Sequence, residues 1–346
     1  MSFRILSFCG GGIRGMASAI MLNELCKACP EVDIVKGADM LAGTSTGSGI
    51  TAWLVNPYDT KPNPVERLID YFETEEVLFF SDKSNKAAEP AYDVQTFANS
   101  MQKKYQSATL NAIPQRLLIT SFNVGETIST VAPPAVRVPW GPVLFNNFPG
   151  SNNGDTLLAD AVVCSSAMPG MFGGYRGFVD GAFVHHDPTA AAIALAVNAG
   201  VPLGDIVAIC FGTGFMANSI GPVINTINKQ ERGWGAEQWQ AGATDSSSYC
   251  LQPLLINEKV PSPIVNISLN GTSTNLIPLL SGMLLAQPQS QPSRRYAYLN
   301  PKLDKFIPEN ETNPGKLKYL RQQAEAITDT QEFSQAKTLV QKYWVP

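Results

Sequence analysis

The sequence predicts an α/β protein, with a parallel or mostly parallel sheet flanked by helices, and three observations carry that prediction. Apolar runs of strand length alternate with longer runs that repeat at the helical period. Several of the short runs stop on glycine clusters, at Gly10-Gly11-Gly12, at Gly43 to Gly47 and at Gly212-Thr213-Gly214. No internal repeat and no long linker divides the 346 residues, so one domain over 1–346 is expected, with 215–295 as a cap or insertion within it.

Residues 3–9 (FRILSFC) read as a buried strand, followed by Gly10 to Gly15 and a helix over Met16 to Cys29 with apolar spacing at Met16, Ile20, Leu22 and Leu25. A short apolar run at Met40-Leu41-Ala42 meets Gly43-Thr44-Ser45-Thr46-Gly47, and a second helical run follows. Pro57 to Pro64 is a loop, and Val65 to Phe72 an amphipathic helix. The aromatic and acidic stretch Phe72 to Phe80 offers Phe79-Phe80 as exposed side chains, for ordinary packing or for contact with an acyl chain. A polar loop covers Ser81 to Pro90, a helix Asp93 to Lys104 and a central strand Gln115 to Phe122 (QRLLITSF). Proline-rich Val131 to Pro149 is expected to be irregular. Leu157 to Met168 is a helix of small residues, able to pack hard against the sheet or the turn at Ser45. Tyr175 to Phe183 is a strand ending in a carboxylate, Asp180, on a glycine turn. Ala190 to Asn198 is a buried helix and Asp205 to Phe211 a buried strand. Arg295 to Leu299 is a late strand, before amphipathic helices over Lys316 to Ile327 and Gln331 to Tyr343.

Composition narrows the function. Hydrophobic residues make up 44% and charged residues 16%, which suits a large buried core. A net charge of −4 gives no basic footprint for nucleic acid. The longest apolar candidates, Ala190 to Val197 and Leu276 to Ala286, fall short of the ~18 residues of a membrane span. With no targeting segment in view, a soluble cytoplasmic protein is expected, meeting lipid only at an interface. Cys9, Cys26, Cys29, Cys164, Cys210 and Cys250 are scattered in apolar contexts, as reduced thiols would be. Cys26 and Cys29 have redox spacing, but no second pair or nearby histidine supports a metal.

The chemistry concentrates on strand ends. Gly43-x-Ser45-x-Gly47 is the G-x-S-x-G pattern of a nucleophile elbow: a serine on a sharp strand-to-helix turn, with glycines where side chains would collide. Gly10, Gly12 and Gly15 also satisfy G-x-G-x-x-G. A dinucleotide fold would want an acid after the second strand, yet Glu31 and Asp33 precede Ile34-Val35. The loop suits an anion instead, because its backbone N–H groups lie uncovered before a helix N-terminus. Acyl transfer needs a nucleophile, a base and oxyanion donors, which Ser45, Asp180 and the amides of Gly10 to Gly12 would supply. The two histidines, His185 and His186, follow Asp180 so closely that placing one between Asp180 and Ser45 needs a tight reversal; a direct contact needs none. Burial among Phe178, Val179 and Phe183 is expected to raise Asp180.

GGGIRG, GTSTG and DGA, in this order, resemble the patatin-like phospholipase family. TSFN at Thr120 to Asn123, SSAMPGMF at Ser165 to Phe172 and GTG at Gly212 to Gly214 extend the resemblance over residues 3–214. It implies a three-layer α/β/α fold and a lipid acyl hydrolase of phospholipase A or lysophospholipase type, some relatives being transacylases, without metal or cofactor. Carried over, Ser45 is the nucleophile and Asp180 the base of a dyad; Gly10, Gly11 and Gly12, with Arg14, form the oxyanion loop; Gly43 and Gly47 shape the elbow. Gly15, Gly181 and Ala182 complete the motifs. Cys9 departs from the family, where many relatives carry an acid. A catalytically silent relative that binds lipid or a protein is the alternative.

Overall fold

The computed structural model describes residues 2–84, 89–128, 136–216, 250–251, 255–256, 264, 267–269, 276–286 and 294–344. The expected cap over 215–295 therefore lies largely outside the described residues.

The first unit is built as the glycine pattern dictates. Strand β1 (Phe3–Phe8) leads through the loop into α1 (Gly15–Ala28), and β2 (Met40–Thr44) turns at Ser45 into α2 (Thr46–Leu54). Helix α3 (Pro64–Tyr71) starts on a proline, whose missing N–H costs nothing in a first turn. It runs on through a π turn over Phe72–Glu76 into α4 (Val77–Ser81), so the stretch after Phe72 continues the helix. Asp93 caps α5 (Val94–Tyr105) by accepting from the Thr96 N–H at 2.8 Å. Then come β3 (Arg116–Asn123), β4 (Gly141–Asn146), α6 (Leu158–Ser166), β5 (Phe178–Asp180), the single turn α7 (Ala182–His185), α8 (Thr189–Asn198) and β6 (Ile206–Phe211). Helix α9 (Ile277–Leu284), β7 (Tyr296–Leu299), α10 (Pro314–Glu325) and α11 (Gln331–Tyr343) close the described chain.

The strands form one seven-stranded sheet in the order β7-β6-β1-β2-β3-β4, with β5 also on β3. From β7 to β3 every pair is parallel, while β4 and β5 run antiparallel to β3. Alternate side chains feed two cores. Leu6, Phe8, Leu41, Ile119 and Ile209 face α1, α2, α5, α6, α10 and α11, and Phe8 stacks on Phe211 at 5.2 Å. Ile5, Met40, Ala42, Leu118 and Ala208 face α8, against which α9 packs. The fold is three-layer α/β/α with a mostly parallel sheet, as the resemblance implied.

Two expectations are corrected. Val131 to Pro149 is not irregular throughout: Val136–Val138 pairs with Glu126–Ile128, and β4 pairs with β3 from Gly141 to Asn146. Proline is tolerated there because β4 ends the order of the sheet, and an edge strand does not need every N–H. The strand carrying Asp180 is shorter than Tyr175 to Phe183 and runs against the parallel strands, so Asp180 does not arrive as another parallel strand end.

That antiparallel strand positions the site. Strand β2 pairs with β3 up to Thr44 opposite Thr120, and β5 pairs with β3 from Phe178 to Asp180 opposite Ser121. Residues 44 and 180 thus lie opposite consecutive positions of β3, and the two chains meet end to end. The elbow tolerates no bulk: a Cβ on Gly43 would strike the Gly47 carbonyl, and one on Gly47 the Phe8 carbonyl. Two residues on, a Cβ at Gly49 would meet nothing within 4 Å. Gly47→Ala is therefore expected to lower stability by about 3 kcal/mol. Gly49→Ala should raise it by about 0.5–1 kcal/mol through helix propensity. Urea unfolding midpoints for the two variants check the contrast.

Candidate active site

Ser45 has φ 54° and ψ −126°, a conformation that a side chain rarely adopts. What holds it there is a set of hydrogen bonds on both sides of the residue. Its carbonyl accepts from the Ser48 N–H at 2.8 Å and the Ser48 hydroxyl at 2.6 Å, which start α2. Its N–H donates to Ser165 Oγ at 2.8 Å, and the Ser165 carbonyl accepts from the Gly181 N–H at 3.2 Å. One residue of α6 thus ties the elbow to the turn after Asp180. Small residues in α6 allow the approach, which the sequence suggested; the particular role of Ser165 carried no signal of its own.

The Ser45 hydroxyl donates to Asp180 Oδ2 at 2.7 Å. Asp180 is fully buried; its Oδ1 accepts from the Ala182 N–H at 2.8 Å and its own N–H donates to the Ala167 carbonyl at 3.1 Å. A Cβ on Gly181 would strike the Thr120 carbonyl, so only glycine lets the chain turn there. Burial pushes the Asp180 carboxyl up to about 7; the Ala182 N–H and Ser45 hydroxyl oppose the rise, and Glu309 adds to it. Neither histidine ring hydrogen-bonds Ser45 or Asp180. His186 is buried with Nδ1 unpartnered among the described residues, and burial and Arg14 push it down to about 3. Burial also lowers His185.

The glycine loop lies beside the elbow: a Cβ on Gly10 would come 3.3 Å from the Ser45 Cβ. The Gly10 N–H donates to the His186 carbonyl at 3.0 Å, and the Gly10 carbonyl accepts from Thr213 Oγ1 at 2.6 Å. Gly10 is thereby committed within the fold. Gly11 and Gly12, at φ 151° and 57°, have N–H groups with no acceptor among the described residues. A Cβ on Gly11 would strike Thr213, and one on Gly12 the Glu309 backbone. At Gly15 it would strike the Thr46 side chain. Arg14 is buried, donates to the Ile307 carbonyl at 2.8 Å and lies 3.7 Å from Glu309, with its Nε unpartnered among the described residues. Burial lowers its pKa and Glu309 opposes that. Thr213, Ile307 and Glu309 thus back the loop from distant parts of the chain. Thr213 lay in a recognised turn, whereas nothing in the local sequence marks Ile307 or Glu309.

Ser45, Asp180 and Gly12 open on a cavity of about 60 Å³ walled mainly by apolar side chains, among them Ile50, Phe72, Met101, Val162 and Met168. Phe79, Phe97 and Phe172 form part of that wall and stack on one another, Phe97 and Phe172 at 5.3 Å. Phe80 is buried and Phe79 half-buried, so the pair packs, as one of the two sequence readings had it, and it also lines the cavity. Among the described residues, one group has metal-ligand types together: Cys9, Asp187 and Cys210 on the α8 side of the sheet, with ligand atoms within 4.8 Å. Cys9 and Cys210 sulfurs lie 3.6 Å apart and Asp187 Oδ1 already accepts from Thr189; the Cys210 contact and burial push the Cys9 thiol up and burial raises Cys210, as fits a hydrogen-bonded cluster. Cys26 and Cys29 are not bridged.

The raised Asp180 makes a stability prediction. Below pH 3.8 the carboxyl is protonated in both folded and unfolded chains and costs nothing; above about 7 it is ionised in both, and the full cost of burying the charge is felt. Stability from this group is lost as pH rises between those values, by at most ~4 kcal/mol at ~1.36 kcal/mol per unit. Asp180→Asn, which mimics the neutral acid, should match the wild type in melting temperature near pH 4 and exceed it by several degrees at pH 8. Equal melting temperatures at both pH values would contradict the raised pKa.

Comparison with known proteins adds a family to this geometry. The sequence model of the patatin-like phospholipases matches residues 6–193. The putative sporulation hydrolase CotR of Bacillus subtilis (strain 168) is 30% identical over 240 residues, covering 67% of this chain and 67% of that protein. Protein teg of Priestia megaterium is 27% identical over 239 residues, covering 67% and 68%. Patatin-like protein 3 of Arabidopsis thaliana is 26% identical over 281 residues, covering 69% and 65%. Among solved structures, VipD from Legionella pneumophila aligns with a TM-score of 0.39 and 10% identity, over 99% of this chain and 67% of that one.

Proposed function

The chain belongs to the patatin-like phospholipase family, and from that premise we propose that it cleaves carboxylic esters of lipids, as a phospholipase A or lysophospholipase, through a Ser45 acyl-enzyme with Asp180 as base. One observation carries the proposal: the Ser45 hydroxyl donates to a buried carboxylate at 2.7 Å, on a strained elbow beside two uncommitted backbone amides.

The steps follow from that arrangement. Ser45 Oγ bonds to the ester carbonyl carbon as its proton passes to Asp180 Oδ2, and the carbonyl π electrons move onto oxygen. The Gly11 and Gly12 N–H groups, with the N-terminus of α2, stabilise that oxyanion. Gly10 supports the loop rather than donating, because its N–H is bonded to the His186 carbonyl, and Arg14 ties the loop to the Ile307 carbonyl and Glu309. Collapse breaks the ester C–O bond, and Asp180 returns its proton to the leaving alcohol. Water then attacks the acyl-enzyme, Asp180 takes its proton, and the tetrahedral adduct releases the fatty acid and restores the Ser45 hydroxyl. An unperturbed Asp is a weak base for serine at ~3.9. A carboxyl at about 7 is far better matched, and desolvation supplies the difference.

The apolar cavity supports an acyl chain as the bound part of the substrate. Its free volume is well below the roughly 300 Å³ of a small preformed ligand site, so the side chains of its wall must move to admit one. No helix among the described residues is long and apolar enough to cross a membrane. The proposed substrate is a lipid ester met at a membrane or micelle surface, with the cytoplasm as the proposed location.

Hydrolysis of a chromogenic short-chain ester tests the proposal. The rate constant kcat/KM should rise about tenfold per pH unit on the acid side and level off near pH 7, because only ionised Asp180 accepts the proton. Ser45→Ala should lose several orders of magnitude, and an organophosphonate should label Ser45 in the wild type. An active enzyme labelled at Ser48 or Ser166, or one with a flat profile from pH 5 to 9, would sink the dyad.

A further inference from the structure

The cavity at Ser45 runs beside α2 and does not end in an apolar wall. Trp53, Tyr71, Glu76 and Lys104 line it together with Ser45 and Ile50. Trp53 lies eight residues along the chain from Ser45, so the helical rise puts it roughly 12 Å from the nucleophile. There the Lys104 ammonium stands over two ring faces, 4.3 Å from the Trp53 centroid and 3.6 Å from that of Tyr71. Glu76 lies against Tyr71 and Lys104, and all three are half-buried. Burial raises the Glu76 carboxyl and pushes Lys104 down to about 8, the latter against Glu75, Glu76 and Asp59. Glu76 closes the π turn Phe72–Glu76, a distortion that recurs at functional sites.

Behind this cluster is a second space, a groove of about 710 Å³ between α4 and α5, lined by Leu78, Tyr92, Thr96 and Ser100 among others. Tyr71, Glu76, Phe79 and Phe97 line both spaces and so form the wall between them.

We propose that Tyr71, Glu76 and Lys104 form a polar plug at the end of the acyl channel, which restricts the substrate to acyl chains of roughly ten carbons or fewer. The length follows from geometry: an extended chain advances ~1.2 Å per bond, so ~12 Å holds about ten bonds. A longer chain would press its methyl end against the carboxyl and the ammonium, displacing water while offering no hydrogen bond in return. The plug deepens the acyl-hydrolase reading and rests on it.

The test is the chain-length profile of kcat/KM on p-nitrophenyl butyrate, octanoate, decanoate and palmitate, in mixed micelles of constant composition. The wild type should lose about tenfold or more between decanoate and palmitate. Glu76→Ala, which opens the wall into the outer groove, should raise the palmitate-to-octanoate ratio about tenfold; Lys104→Met should raise it independently. If one variant fails to fold, the other and the wild-type profile still decide. A wild type that cleaves palmitate as fast as octanoate, or folded variants with an unchanged ratio, would overturn the plug and leave acyl hydrolysis standing. A wild type inert on every ester would overturn the acyl-hydrolase reading and the plug with it.

Discussion

A serine hydroxyl bonded to a buried carboxylate is the constraint around which this molecule is arranged. An isolated ionised aspartate in a protein core is costly, and among the described residues its carboxylate keeps two hydrogen bonds, from Ser45 and from the Ala182 N–H. The fold maintains this arrangement by topology. Strand β2 delivers Ser45 from one direction, β5 delivers Asp180 from the other, and the same edge of β3 fixes both.

Around that pair, steric exclusion does as much as hydrogen bonding. Gly43, Gly47 and Gly181 are positions where a Cβ would meet a backbone carbonyl, which cannot move aside as a flexible side chain can. The positive φ of Ser45 is strain that these close contacts and the Ser48 and Ser165 bonds over-determine. The glycine loop is held differently, from outside: Thr213 binds the Gly10 carbonyl, and the Glu309 backbone accepts from the Ile13 N–H at 2.8 Å. Residues about 200 and nearly 300 positions away in sequence thus hold the loop that carries the Gly11 and Gly12 amides.

Much of this was legible because it depends on local sterics. A serine flanked by glycines between an apolar run and a helix can be an elbow or a plain small-residue turn, and it reads as an elbow together with the Gly10 to Gly12 loop and the strand ending on Asp180-Gly181. The proline-rich segment before Pro149 misled, because proline argues against a central strand and says little about an edge strand such as β4. Phe79 and Phe80 looked exposed beside a polar loop; only the fold brings Phe97 and Phe172 to cover them.

The sequence by itself determined the α/β class and the family, and it singled out Ser45 and Asp180 as candidates, since each depends on short-range periodicity or on where only glycine fits. Tertiary structure alone decided that β5 runs antiparallel, that the Gly10 N–H is bonded to the His186 carbonyl, and that Glu76 and Lys104 face the space beside α2. Those outcomes depend on which distant segments become neighbours and on how much water they exclude. A residue's charge state and uncommitted hydrogen bonds are properties of that surrounding, and no local pattern in the chain encodes them.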